Sequence, residues 1–328
     1  MEVTKRMNQN GKTALRAIVP QLLLWGTIAM VALLPDVQAA FITHKGPILV
    51  FLICGSVFLA ILAAIAATKK SKYLSLRRVL GFHDICSVFL VLIFVWELLA
   101  NKLPILDPMI FTCPTRVFQI LYTRFDYLWA NSVASLYLLV SGFFIGIGMG
   151  VLLGVLIGWI KPVFNVLYPV AKIVAPIPAV VYIPFALVLF PTPTWGQVLI
   201  IAIGAFWPTF ANVVFAVHNI DKRTIEAAKM LGAKPMTILR KIVIPSVMPE
   251  MFAGIFIGMI LAFIMLTVAE MVGASQGLGF ILHTQRLLNH YDAVAAIIVT
   301  VGVIVIIWSV VFDRVEAYAL RWKVRLGA

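Results

Sequence analysis

Asn219-Ile220-Asp221-Lys222-Arg223-Thr224-Ile225-Glu226-Ala227-Ala228-Lys229-Met230-Leu231-Gly232-Ala233-Lys234-Pro235 separates two long apolar runs, 195–217 and 246–269. The stretch is polar and basic, and its local chemistry spells a short helix of about ten residues. Asp221 is a good N-cap and Gly232 a good residue for the left-handed position that ends a helix. Pro235 can open a second helix at its first position. Ile225, Ala228, Leu231 and Gly232 fall on one side of the first helix. A helix too short to stand alone, with an apolar face on a water-facing loop, suits docking into a groove on another protein.

The flanking runs set the class. Of 328 residues, 62% are apolar and 12% charged, against about 25% charged and 45–50% apolar in soluble domains. A soluble globular protein is excluded. Eight runs have the length and character of membrane helices, which need roughly 20 apolar residues: 17–36, 47–67, 84–103, 130–159, 163–190, 195–217, 246–269 and 293–315. The first reads as a retained helix rather than a signal peptide. The expected fold is therefore an all-α polytopic membrane protein of about eight transmembrane helices.

Net charge is +13, and its distribution gives the orientation. Twenty-one lysines and arginines lie before the first run, in alternate gaps such as Lys69–Arg78 and Lys222–Lys241, and after the last run. Five (Lys45, Lys102, Arg116, Arg124 and Arg286) lie on the other side. Positive charge stays inside, so both termini are expected in the cytoplasm, which requires an even number of spans. The basic residues occupy gaps between apolar runs rather than one solvated face, which argues against nucleic-acid binding. Cys54, Cys86 and Cys113 are odd in number and widely spaced, so no disulfide framework is implied.

The fourth run carries Gly142, Gly146, Gly150, Gly154 and Gly158, every fourth residue on one helical face. Such a face admits a neighbouring backbone closely. It fits one tight helix crossing or a close-packed helix that slides or rocks. Pro162, Pro169, Pro176, Pro178, Pro184, Pro191 and Pro193 follow; interior prolines break hydrogen bonds and kink helices, which membranes tolerate where the backbone is buried or lines a cavity. Acidic residues within runs are few, and Glu97 in the third and Glu270 at the outer end of the seventh stand out. Glu270, before the Gly-rich turn Met271–Gly279, either lines a path or makes a local hydrogen bond. Trp207, Thr209, Asn212, Glu270 and Ser275 are the candidate path residues, and they bring no arginine cluster.

Glu226-Ala227-Ala228, three residues, Gly232, nine residues, then Ile242-Val243-Ile244-Pro245 resembles the EAA loop of ABC-importer permeases, EAA-x3-G-x9-I-x-L-P. Ile244 replaces the usual leucine. The resemblance covers about residues 85–320 and is closest to permeases for nitrate, sulfonate, taurine and bicarbonate. It is carried there by Thr267-Val268-Ala269-Glu270, Ser275-Gln276-Gly277-Leu278-Gly279, Pro114-Thr115 and Trp96-Glu97-Leu98. It implies that the last six helices form a type I permease core, with residues 130–316 its centre and 219–245 its coupling loop. Residues 1–80 form an N-terminal extension with two extra helices, 81–129 hold the third span and an external amphipathic segment, and 317–328 are a cytoplasmic tail.

The resemblance also implies partners: a second permease copy in a homodimer, two ATPase subunits carrying ATP-Mg, and a soluble or lipid-anchored binding protein. The setting would be the bacterial inner membrane and its lipid. Ile225, Glu226, Ala227, Ala228, Leu231, Gly232, Ala233 and Pro245 would serve contact with the ATPase, and the solute would be a small anion. The chain itself shows no nucleotide site: Gly11-Lys12-Thr13 ends a P-loop pattern, but Arg6 stands where its first glycine belongs. The histidines lack metal-ligand spacing, and no G-x-S-x-G elbow occurs. Neither cofactor, metal nor catalytic residue is expected. The rival reading, a secondary transporter driven by an ion gradient, calls for charged residues deep in the spans, and these are scarce.

Overall fold

The computed structural model describes residues 2–37, 42–68, 76–103, 105, 107 and 110–322, and among them every regular element is helical. The chain forms two compact units. One comprises residues up to Phe125 together with Gln285–Ala296; the other comprises Asp126–Thr284 and the residues from Ile297 onward.

In the first unit, α1 (Glu2–Leu33), α2 (Gly46–Thr68), α3 (Leu76–Glu97) and α4 (Pro114–Thr123) pack around Leu24, Val31, Ile48, Leu52, Leu59 and Leu90. Two polar ties lock them. Gln21 and Ser56 exchange hydrogen bonds between α1 and α2. At the other end α3 relaxes into a π-turn, Leu98–Lys102, which places Asn101 beside Glu97. The fully buried Glu97 carboxylate accepts from Thr115 N–H (3.0 Å), Thr115 Oγ1 (2.8 Å) and Asn101 Nδ2 (2.7 Å). Trp96 Nε1 donates to the Thr112 carbonyl at 2.8 Å, so two sequence segments about twenty residues apart close on each other. Asp36, in the turn between α1 and α2, pairs with Lys45 and with the buried Lys102.

Burial alone would push the Asp36 carboxyl up. The hydrogen bonds and charges of Lys102 and Lys45 outweigh it and hold the group below its ordinary value of 3.8. A carboxylate so depressed stabilises the fold above its unfolded-state pKa, and that stability drains away as pH falls through the folded value. The thermal midpoint of the purified protein should thus drop on acidification below about pH 4. Asp36→Asn should flatten that acid limb; an identical acid profile in the variant would refute the assignment.

The second unit is built from α5 (Phe125–Trp159), α6 (Lys161–Val174), α7 (Ile183–Leu189), α8 (Pro193–His218), α9 (Lys222–Met230), α10 (Pro235–Ile238), α11 (Ile244–Gly273), α12 (Leu278–Leu287) and α13 (Tyr291–Ala319), the last two running partly into the first unit. Its core joins Leu139 and Phe143 of α5, Ile201 and Ala205 of α8, Met259, Ala262 and Phe263 of α11, and Phe312 of α13. The glycine series is one tight crossing. Gly142 lies against Val198 and Ile201, Gly146 against Ala202 and Ala205, Gly150 against Phe206 and Thr209, Gly154 against Phe210 and Val213, and Gly158 against Val214 and Val217. Both helices advance four residues per contact, so they run parallel, in register, for about 24 Å.

A parallel pair obliges the chain to return between Trp159 and Pro193. It does so through a broken element rather than the single span expected over 163–190. Lys161–Val174 and Ala179–Ala186 meet at 85°, with Pro176 and Pro178 in the break. Phe190 and Thr192, each preceding a proline, are extended (φ −105°, ψ 142° and φ −123°, ψ 137°), as proline demands of its predecessor. Hydropathy sees one run here because the break itself is apolar.

Among the described residues, five stretches are long and apolar enough to cross a membrane unbroken: Asp84–Lys102, Phe125–Trp159, Pro193–His218, Pro235–Gly273 and Tyr291–Ala319; the bent pair makes a sixth. The first two expected runs fall on α1 and α2, whose apolar described parts, Ile18–Leu33 and Gly46–Ile61, are shorter. Large apolar side chains such as Val188 (88% exposed) and Ile306 (64%) look outward, a surface suited to lipid and not to water.

Candidate functional site

Two ends of the second unit carry the residues singled out in the sequence. At the first, α9 is capped as expected: the Asp221 side chain accepts from Arg223 N–H at 2.9 Å. Gly232 has φ +75°, with its N–H on the Lys229 carbonyl and Ala233 N–H on that of Ala228. Only glycine adopts this conformation freely. Pro235 opens α10, and a π-turn, Leu239–Val243, leads into α11.

The exposed face of α9 differs from the one expected. Ala228 is buried, and Ile225 and Ala233 pack with it on Val155, Val213, Val217 and Val243. That side seats the helix on its own bundle. Ala227, Met230 (90% exposed) and Leu231 (88%) form the outward apolar strip, with Glu226 beside them. Pro245 is not on the short helix at all but in the first turn of α11. Met230 is absent from the expected contact set; its i, i+3, i+4 spacing with Ala227 and Leu231 is the sequence signal that points to it.

At the far end of α8 the Gly-rich turn is tied to α5. Glu270, 1% exposed, accepts from Ser135 Oγ (2.6 Å) and Gly279 N–H (2.6 Å). Ser135 Oγ in turn accepts from Leu278 N–H (2.7 Å), and Asn131 Oδ1 from Gly277 N–H (2.8 Å). Gly277 has φ +121°, and a Cβ there would run into the Glu270 carboxylate. Glu270 thus makes the local hydrogen bonds that are one of its two readings.

The other path candidates scatter. Thr209 is fully buried and donates to the Ala205 carbonyl, against Gly254 and Gly258 of α11. Asn212 donates to the Pro208 carbonyl and packs on Gly254. Trp207 stacks edge-on with Phe206 and Phe210. Ser275 is exposed and lines a cleft of about 560 Å³ beside the start of α8.

Comparison with known proteins decides what such a bundle belongs to. The family described as binding-protein-dependent transport system inner membrane component matches residues 142–322. The chain belongs to that family. Among its relatives, a protein of Methanocaldococcus jannaschii assigned as an ABC transporter permease is 31% identical over 227 residues, 67% of this chain and 83% of that one. A Bacillus subtilis protein assigned to aliphatic sulfonates transport is 26% identical over 196 residues, 60% and 71% of the two chains. The taurine transport system permease protein of Escherichia coli is 26% identical over 239 residues, 71% and 86%.

This permease is a multi-pass membrane protein of the ABC importer class. The matched region begins at the first glycine of the α5–α8 seam and takes in the α9 loop, Glu270 and the Gly-rich turn, whereas Asn131 and Ser135 lie before it. These two, which tie the turn to α5, are not among the residues the sequence singles out. Their spacing of four on α5 puts them on one face, but nothing local points to partners some 140 residues away.

Proposed function

We propose that this permease forms the membrane path of an ATP-driven importer, with force delivered through α9 by a separate ATPase. What supports the reading is the outward strip of Ala227, Met230 and Leu231 on a rigidly seated helix. A loop that buries Ile225 and Ala228 in its own bundle yet leaves two large apolar side chains bare is built to be covered. Two ATPase subunits binding ATP-Mg would cover it in a pair of permease copies, and closure of the ATPases would swing the bundles between access states. Glu226, exposed beside the strip, would lie at the edge of that contact. ATP chemistry then belongs to the partner, and this chain needs no cofactor or catalytic residue.

The path opens in the bacterial cytoplasmic membrane, with both termini and α9 in the cytoplasm and a soluble or lipid-anchored binding protein on the opposite face. The names of the sulfonate and taurine relatives favour a small anion as solute. Against ion-gradient drive, Glu97 and Glu270 are both occupied by hydrogen-bond donors within the fold.

The test is the double variant Met230→Glu with Leu231→Glu. Both positions are exposed, so membrane insertion and thermal midpoint should stay within error. Co-purification of the ATPase and ATP-dependent uptake in proteoliposomes should fall at least tenfold. Full uptake by the double variant would remove α9 as the contact, and solute uptake by the permease with no ATPase present would overturn ATP drive altogether.

A further inference from the structure

Where α5 gives way to α6 and α8 to α9, the second unit opens a cleft of about 570 Å³. Trp159, the last residue of α5, Lys161, the first of α6, and Lys222, Glu226 and Lys229 of α9 line it. Three exposed lysines therefore share one concavity with a single carboxylate, that of Glu226. Lys222, Glu226 and Lys229 recur at i, i+4 and i+7, one face of α9, which is not the face of the bare strip Ala227, Met230 and Leu231. Lys161 joins them from a separate helix. Among the described residues, none of these three lysines makes an ion pair. Like charges gathered in one hollow repel each other. An anion seated among them relieves that repulsion and gains charge-assisted hydrogen bonds.

The surroundings of the cleft say which anion. Trp159 is followed along its own face of α5 by Leu156 and Leu152, three and seven residues back, and both leucines are exposed. α5 is long and apolar enough to cross a membrane, so this face runs from the cleft into the hydrocarbon. A tryptophan at the end of a span marks the level of the lipid headgroups. We propose that the cleft holds the headgroup of an anionic phospholipid, with its phosphate on Lys161, Lys222 and Lys229 and an acyl chain along Trp159, Leu156 and Leu152. Basic pockets between membrane helices take such headgroups. A free phosphate would use the same lysines but leave the apolar track idle. The site needs only that α5 and α8 cross the bilayer, so it stands or falls apart from ATP drive.

The test uses the full-length permease in detergent micelles doped with phosphatidylglycerol or phosphatidylcholine brominated in its acyl chains, which quenches a tryptophan it touches. Subtracting the signal of Trp159→Phe isolates Trp159. Phosphatidylglycerol should quench it at a lipid fraction at least fivefold lower than phosphatidylcholine does. The triple variant Lys161→Gln, Lys222→Gln and Lys229→Gln should keep its thermal midpoint, since all three side chains are exposed, and bring the two lipids within twofold of each other. Lys161→Gln alone, which leaves α9 untouched, should lose at least half of the preference. Equal quenching by the two lipids in the unsubstituted protein overturns the site, and so does a preference that survives in the triple variant. A triple variant that keeps the preference yet no longer co-purifies the ATPase assigns the lysines to that partner instead. Inorganic phosphate that abolishes the preference, where chloride of the same ionic strength does not, assigns the cleft to a free phosphate group and overturns the lipid.

Discussion

Gly154→Leu should destabilise the second unit by about 3 kcal/mol or more, at the upper end of what overpacking costs. An added Cβ at Gly154 would stand 2.8 Å from the Val213 Cβ, and at Gly142 2.6 Å from that of Ile201. These neighbours are held close to their own backbone, so no flexible tip can swing aside. Relief requires α5 and α8 to part, which uncovers the core around Ile201 and Ala205. Gly148 supplies the control: it belongs to the same helix but is exposed, and a Cβ added there would meet nothing within 4 Å. Gly148→Leu should shift stability by no more than about 0.5 kcal/mol. Thermal unfolding in detergent, followed by tryptophan fluorescence, reads both variants. Equal midpoints for the two would mean the seam is not packed as described.

Glu270→Ala should cost on the order of 4 kcal/mol and free the turn it holds. The substitution strands the Ser135 hydroxyl and the Gly279 amide, each buried, and an unsatisfied buried group costs about 1–3 kcal/mol, more where the lost partner was charged. Glu270→Gln keeps one acceptor oxygen but turns an N–H toward a donor, so about half the loss should remain. Hydrogen exchange gives the local readout. The Gly277, Leu278 and Gly279 amides should lose protection in Glu270→Ala, while those of α8 near Ile201 keep theirs. Unchanged exchange at Leu278 and Gly279 would show the tie to be idle.

What is legible in the sequence is local. Asp221, Gly232 and Pro235 act on their own backbone, so their residue types announce the helix they bound. The glycines at every fourth position likewise declare a face, because α-helical geometry repeats within a single strand of chain. What the periodicity of α9 does not say is which side of it looks inward. Ile225 and Ala228 share a face with Leu231 on a helical wheel, yet the bundle takes the first two and leaves the third bare. The break at Pro176 and Pro178 hides inside an unbroken apolar run, since hydropathy measures affinity for lipid and is silent on backbone direction. Glu270 stands out by charge alone, but Ser135 sits 135 residues away, and no local signal links them.

The in-register seam has a bearing on how the bundle changes shape. Side chains that interdigitate can exchange rotamers and let two helices glide, but five glycines notched against a neighbour's backbone leave no such play. Gly254 and Gly258 press α11 onto an adjoining side of α8, against Ala205, Pro208, Thr209 and Asn212. The three helices are thus packed into a single plank along these glycines. The proline-interrupted elbow of residues 175–178 and the extended joint at 190–192 lie outside this seam, in the return from α5 to α8.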